Sequence, residues 1–131
     1  MKMRIRKNSL RLRLQRGEVQ KFGEIGKIEE TIQFDASQSL TYTLERVEGI
    51  DSMRALMDGS SIRVEVPSEL ARSWTGSEEI GMTGEQSLPN GERLHLLIEK
   101  DLQCLKPRTS GQWEDDSDAY SNPNPTCGHS P

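Results

Sequence analysis

The chain has 131 residues, of which 32% are hydrophobic and 5% aromatic, so it suits one domain with a small aliphatic core. Its 17 basic and 21 acidic residues give a net charge of −4; residues 107–131 hold one base and four acids, which leaves 16 − 17 = −1 for residues 1–106. A nearly neutral body argues against a nucleic-acid or membrane-surface partner, and no apolar run reaches the roughly 18 residues that span a bilayer. With two cysteines and no secretory signal pattern, the expected compartment is the cytoplasm.

Alternating apolar and polar residues dominate the first half of the chain, which is typical of strands with one buried face. The period changes to that of a helix after about residue 16, where Val19 and Phe22 share one face and Gly26 provides a stop. The predicted elements, in chain order, are strands over 3–14 with a break near Asn8, a helix from about Arg16 to Gly26, strands over 28–34 and 40–44, and a weaker apolar segment over 53–57.

The second half repeats this order after the Asp58-Gly59 turn signal. The predicted elements are a strand over 62–66, a helix that starts after Pro67, a strand from about Ile80, a turn at 89–91 and a strand over 94–98. The segments SLRLRLQRGEVQKF (9–22) and SIRVEVPSELARSW (61–74) align at an offset of 52, and LTYTLERV (40–47) aligns with LHLLIEKD (94–101) at an offset of 54. We therefore predict a duplicated strand–helix–strand–strand unit, over about 9–57 and 61–101.

This pattern predicts an α+β fold for residues 1–106: a mostly antiparallel, curved sheet or barrel built from the two repeats, with two short helices. Apolar periodicity stops after Leu105. Residues 107–131 carry four of the six prolines and a run of acids, so we predict an acidic, Pro/Asn-rich disordered tail.

The polar strand faces hold the first set of candidate functional residues. On a solvated outer face, their arginines and glutamates would form cross-strand pairs worth about a few tenths of a kcal/mol each. On a curled sheet they would instead line a groove, in which guanidinium groups bind phosphate or carboxylate and paired carboxylates hold a hard divalent cation. The candidate anion-binding residues are Arg11, Arg13 and Arg63, and the candidate cation-binding residues are Glu45 and Glu99.

A second candidate set consists of the four soft ligands in the chain. They are Cys104, Cys127, His129 and His95. Together they could complete a tetrahedral metal site, or the two cysteines could form a redox pair, although their spacing matches no standard zinc module. The alternative is that Cys104 is a small buried residue and His95 a surface residue. No cofactor is expected apart from this divalent-metal alternative.

Several segments resemble a family of small bacterial proteins known only as a domain of unknown function. They are MRIRKNSLRLRL, GKIEETIQF, LTYTLE, IRVEVP, LIEKDLQCLKPR and EDDSDAYSNPNP. The resemblance spans nearly the whole chain, tail included, and implies no activity or ligand. The duplicated order also resembles, in topology only, the CYTH-like triphosphate tunnel enzymes; that family opens with Glu-x-Glu-x-Lys, whereas the first strand here reads KMRIR.

The sequence favours a non-enzymatic binding or interaction module over an enzyme. Its partner would be a protein or a small anionic ligand. One alternative is a CYTH-like hydrolase or binder of phosphorylated anions that uses the Arg/Glu strand face. The other is a metal-handling or redox protein that uses Cys104, Cys127 and His129.

Overall fold

A computed structural model describes residues 1–102 and Tyr120. Its strands and helices confirm the α+β class, and they lie within Met1–Asp101. In chain order they are β1 (Lys2–Arg6), β2 (Ser9–Leu14), α1 (Arg16–Ile25), β3 (Lys27–Gln33), β4 (Ser39–Val47), β5 (Arg54–Asp58), β6 (Ser61–Pro67), α2 (Ser68–Thr75), β7 (Gly81–Ser87) and β8 (Arg93–Lys100). The predictions for Cys104, Cys127 and His129 and the prediction of a disordered tail at 107–131 concern residues outside the described part of the chain.

Local sequence signals explain where α1 begins and ends. At its start, Gln15 and Glu18 form a capping box, in which the Gln15 backbone N–H donates to Glu18 Oε1 at 2.9 Å. At its end, Gly26 adopts a left-handed conformation with φ 85°, and its N–H donates to the Phe22 carbonyl. The predicted stop at Gly26 is therefore confirmed.

The strands form two four-stranded sheets, where the sequence predicted one curved sheet or barrel. Sheet A has the order β1-β2-β8-β7, and sheet B has the order β3-β4-β6-β5. Both are mixed, because β2 pairs in parallel with β8 and β4 in parallel with β6, whereas the remaining pairs are antiparallel. No closed barrel forms among the described residues. The prediction missed this because alternation sets which residues point inward but not which strands become neighbours.

The two sheets are equivalent in strand order and in register. Lys2 lies opposite Arg13 in sheet A, and Arg54 lies opposite Glu65 in sheet B, so both partners keep an offset of 52. Ser9 lies beside His95 in sheet A, and Ser61 lies beside Thr41 in sheet B. Ser9 and Ser61 are 52 residues apart and Thr41 and His95 are 54 apart, so this pairing follows both offsets of the sequence alignment. Each helix carries the chain between sheets, since α1 follows β2 of sheet A and α2 follows β6 of sheet B.

One hydrophobic core joins both sheets and both helices. Its most completely buried large side chains are Trp74, Phe22, Leu12, Leu14, Leu44, Leu96, Ile98 and Val66. The Phe22 and Trp74 rings meet edge to face with centroids 6.3 Å apart, which joins α1 to α2. The indole N–H of Trp74 donates to the Ile80 carbonyl at 3.0 Å, so burial leaves this donor satisfied.

Polar contacts link the edges of the two sheets. The Gln86 side chain of β7 bonds to both backbone groups of Ala55 on β5: Oε1 accepts from the N–H at 2.7 Å, and Nε2 donates to the carbonyl at 3.2 Å. Near β3, the Tyr42 hydroxyl oxygen lies 3.0 Å from both the Met1 carbonyl oxygen and Glu30 Oε2, and its one proton is available to either acceptor. The helices of the described chain are too short and too polar to cross a membrane.

Candidate binding site

The structure separates the predicted anion-binding arginines. Arg11 and Arg13 lie on β2 of sheet A, whereas Arg63 lies on β6 of sheet B. The two candidate glutamates are divided in the same way, because Glu99 is on β8 and Glu45 is on β4. The five residues therefore form two clusters, one on the outer face of each sheet, and each outer face alternates with the core-facing side chains.

In sheet A, Glu99 lies between the two arginines. Its Oε1 is 2.8 Å from Arg11 Nε and 2.7 Å from Arg11 Nη2, and it is also 2.7 Å from Arg13 Nη2. Asp101 extends the cluster, with Oδ1 at 4.0 Å from Arg13 Nη1. Burial by itself would raise the pKa of Glu99, but the hydrogen bonds and positive charges of Arg13 and Arg11 outweigh it, so the pKa is lowered. Glu99 is thus held as a carboxylate between two guanidinium groups.

In sheet B, the carboxylate that lies between two arginines belongs to Glu65, which is not among the candidate residues predicted from the sequence. Glu65 is 7% exposed and accepts from Arg54 Nε at 2.6 Å and from Arg63 Nε at 3.0 Å. Glu45 is farther away, with Oε2 at 3.9 Å from Arg63 Nε. The signal that could have revealed Glu65 is its alignment with Arg13 at the offset of 52, which reverses the charge at that position.

His95 lies at the edge of the sheet A cluster, where its Nδ1 is 3.5 Å from Glu85 Oε1. Within residues 1–102 and Tyr120, no group of three or more His, Cys, Asp or Glu side chains is arranged to hold a metal ion. The other three proposed ligands, Cys104, Cys127 and His129, lie outside the described residues, so their pairing stays a prediction.

Charge is distributed unequally between the two outer faces. The registers place six basic side chains on the outer face of sheet A, which we call the basic face: Lys2, Arg4, Arg6, Arg11, Arg13 and Arg93. Three acids, Glu85, Glu99 and Asp101, lie on or beside this face, so its formal net charge is 6 − 3 = +3 when histidine is not counted. The outer face of sheet B carries three bases and four acids, so its net charge is 3 − 4 = −1. The bases are Lys27, Arg54 and Arg63, and the acids are Glu29, Glu45, Asp58 and Glu65.

Like charges lie directly opposite each other on the basic face. Lys2 pairs with Arg13, and Arg4 pairs with Arg11, across β1 and β2. Like-charge neighbours in a sheet are destabilising, and here the Glu99 carboxylate, which accepts from both Arg11 and Arg13, offsets part of the repulsion. At the corresponding position in sheet B, Arg54 instead faces Glu65. The net charge of residues 1–106 does not indicate this face, because its basic residues lie together only when the sheet places β1 beside β2.

This geometry defines a small two-sheet α+β protein with one strongly basic sheet face. Over residues 1–124 the chain matches the family of unknown function DUF7009, and it belongs to that family. Neither the search of curated proteins nor the search of solved structures returned a significant match.

Proposed function

We propose that this protein is a non-enzymatic binding module whose basic face takes an anionic partner. The observation that carries the proposal is the concentration of basic residues on the outer face of sheet A, where Lys2 lies opposite Arg13 and Arg4 lies opposite Arg11 in the strand register. A carboxylate or phosphate partner would offset the positive charge that this face carries in excess of its acids, and the exposed guanidinium group of Arg6 could bind it through two hydrogen bonds.

The charge pairs within each sheet favour binding over catalysis. Glu99 and Glu65 each accept hydrogen bonds from two arginines. A general base or a metal ligand needs lone pairs directed at a substrate or cation, whereas these carboxylates direct theirs at guanidinium groups. We therefore place the partner on the exposed bases of β1 rather than on the Arg11–Glu99 cluster.

Calorimetric titration with poly-L-glutamate at low ionic strength tests the proposal. The test variant is Lys2→Gln with Arg6→Gln, which removes two exposed bases of the basic face. The matched control is Lys21→Gln with Lys27→Gln, which makes the same change in net charge on α1 and β3, where both lysines are exposed.

We expect the wild-type chain to bind, with an affinity that falls as salt is added. The test variant should bind about fivefold more weakly or worse, because each lost pair is worth up to about 1 kcal/mol, whereas the control should stay within about twofold. Equal weakening in the two variants would mean that net charge, and not the basic face, attracts the polymer. No binding at low salt would contradict the proposal outright. Tripolyphosphate in the same buffer tests the rival hydrolase, and we expect no phosphate release.

We further propose that the two halves of the domain arose by duplication and that the protein is a bacterial, cytoplasmic one. The duplication is supported by the offsets of 52 and 54, which apply to sequence alignment and to strand pairing alike. Because β1 and β5 are equivalent at the offset of 52, a sequence profile made from residues 2–47 of related chains should detect residues 54–101 of those same chains. Failure to do so across many members of the family would contradict a common origin.

A further inference from the structure

We propose that the partner is an extended acidic peptide that adds to sheet A as a strand beside β1. This inference rests on the proposed function, because it specifies the anionic partner of the basic face. The peptide would carry carboxylates at alternating positions and small apolar residues between them. Its backbone would pair with the outer edge of β1, and its carboxylates would lie beside Lys2, Arg4 and Arg6.

The position of β1 in the sheet makes strand addition feasible. Among the strands of the described residues, β1 lies at the edge of sheet A, with β2 as its neighbour. Every second residue of an edge strand directs its backbone N–H and C=O away from the sheet, which is a template for another strand. The edge of β5 differs, because the Gln86 side chain already bonds to both backbone groups of Ala55 there.

The side chains of β1 specify the chemistry of the added strand. Lys2, Arg4 and Arg6 are exposed and lie on one face, spaced about 6.6–6.8 Å apart along the strand. An added strand has the same spacing, so carboxylates at its alternate positions would each lie opposite one base. On the other face of β1, Ile5 is 62% exposed, so an apolar residue between two acids would cover it. The β3 edge of sheet B is less suitable, because it combines Lys27 with two glutamates.

The same observations favour a peptide over a single-stranded nucleic acid. Proteins that bind single strands use aromatic side chains as stacking platforms, with bases lying on them. The four strands of sheet A contain no Phe, Tyr or Trp. The outer face of sheet A carries basic side chains at the spacing of alternate strand residues, which matches the carboxylates of an extended peptide. Its four strands have no aromatic ring on which a nucleobase could stack.

Three synthetic peptides of equal charge test the proposal by titration into the full chain. The first alternates three glutamates with valines between serine ends. The second has the same composition with its three glutamates contiguous. The third repeats the first with N-methyl groups on the backbone nitrogens of one edge, which removes those hydrogen-bond donors. Each is titrated into the wild type, the Lys2→Gln/Arg6→Gln variant and the Lys21→Gln/Lys27→Gln control.

We expect the alternating peptide to bind wild-type chain at least about tenfold more tightly than either other peptide, because only it combines strand pairing with matched charges. Its affinity should fall about fivefold to tenfold in the Lys2/Arg6 variant and less than about twofold in the control. Amide spectra of the complex should show new hydrogen-bond protection along β1. Thermal melts of both variants show whether the fold is retained, and neither substitution removes a buried group.

The results separate failure of this inference from failure of the proposed function. If all three peptides bind equally and the Lys2/Arg6 variant weakens all of them, the basic face binds anions without strand addition. If no peptide binds while poly-L-glutamate does, strand addition is wrong, and the proposal that the basic face binds an anionic partner is retained. If a mixed-sequence single-stranded DNA of equal charge binds more tightly than the alternating peptide, the partner class is wrong. If neither peptides nor poly-L-glutamate bind, both proposals fail.

Discussion

Changing Glu99 to Gln should destabilise the protein far more than the same change at Glu45. Both residues lie on outer sheet faces near an arginine, and the two align with each other at the offset of 54 between the halves of the domain. The Glu99 side chain is 12% exposed and contacts arginines whose side chains are 7% and 14% exposed, with the closest N···O distances at 2.7 Å. The Glu45 side chain is 35% exposed, and its oxygen is 3.9 Å from Arg63 Nε.

The magnitudes follow from burial. Breaking a buried ion pair from one side costs about 3–5 kcal/mol, because the other charge stays buried without compensation. Glutamine retains one acceptor oxygen, so we expect a loss of about 2–4 kcal/mol for Glu99→Gln. A half-exposed pair at nearly 4 Å is worth about 0–1 kcal/mol, which is the loss expected for Glu45→Gln. Against a total stability of about 5–15 kcal/mol, the two variants are easy to separate.

Equilibrium unfolding in urea is the appropriate assay, since guanidinium chloride would screen the charges under test. The pH dependence provides a second criterion. Because the folded-state pKa of Glu99 is lowered, its contribution is present above the unfolded pKa and is lost as pH falls through the folded pKa. The wild-type advantage over Glu99→Gln should therefore be constant near pH 6–7 and shrink below about pH 4. A loss no greater than that of Glu45→Gln, or a gap that does not change with pH, would refute the reasoning.

Three further predictions concern the core and the backbone. Gly84→Ala should cost about 1–3 kcal/mol in urea unfolding, because the new Cβ would come 3.0 Å from Met53 Cε. Gly17→Ala in α1 should gain about 0.5–1 kcal/mol, because nothing beyond its chain neighbours and its own helix backbone lies within 4 Å of the added Cβ. The reverse order of the two effects would contradict this reasoning. Burial and a hydrogen bond to a carboxylate raise the pKa of Tyr42 to about 12. Wild-type stability should therefore fall as pH rises between about 10 and 12. If a Tyr42→Phe variant lost the same stability over this range, ionisation of Tyr42 could not be the cause. Trp74→Phe should cost about 2–4 kcal/mol in thermal or urea unfolding, because it leaves a cavity and a carbonyl without its donor; a loss under about 1 kcal/mol would mean that the core repacks.

Local sequence pattern predicted the elements well, and the reason is physical. Alternation of apolar and polar residues depends on the pleat of a strand and not on its partner, so strands such as β2 and β4 are recognisable in isolation. The same holds for α1, whose apolar face and terminal Gly26 are local signals. The polar outer positions of Arg11, Arg13 and Glu99 followed from this alternation. Their burial did not, because a solvated face with weak ion pairs was expected, whereas Arg11 and Glu99 are only 6% and 9% exposed.

Only the tertiary structure decided which strands lie side by side, because pairing depends on contacts between residues far apart in the chain. The parallel pairing of β2 with β8 brings Glu99 between Arg11 and Arg13, which are 88 and 86 residues away in sequence. The antiparallel pairing of β1 with β2 sets bases against bases, and the division into two sheets concentrates positive charge on one of them. A nearly neutral composition is compatible with either an even or a divided surface, since net charge carries no information about position, so the basic face became visible only once the sheet was formed.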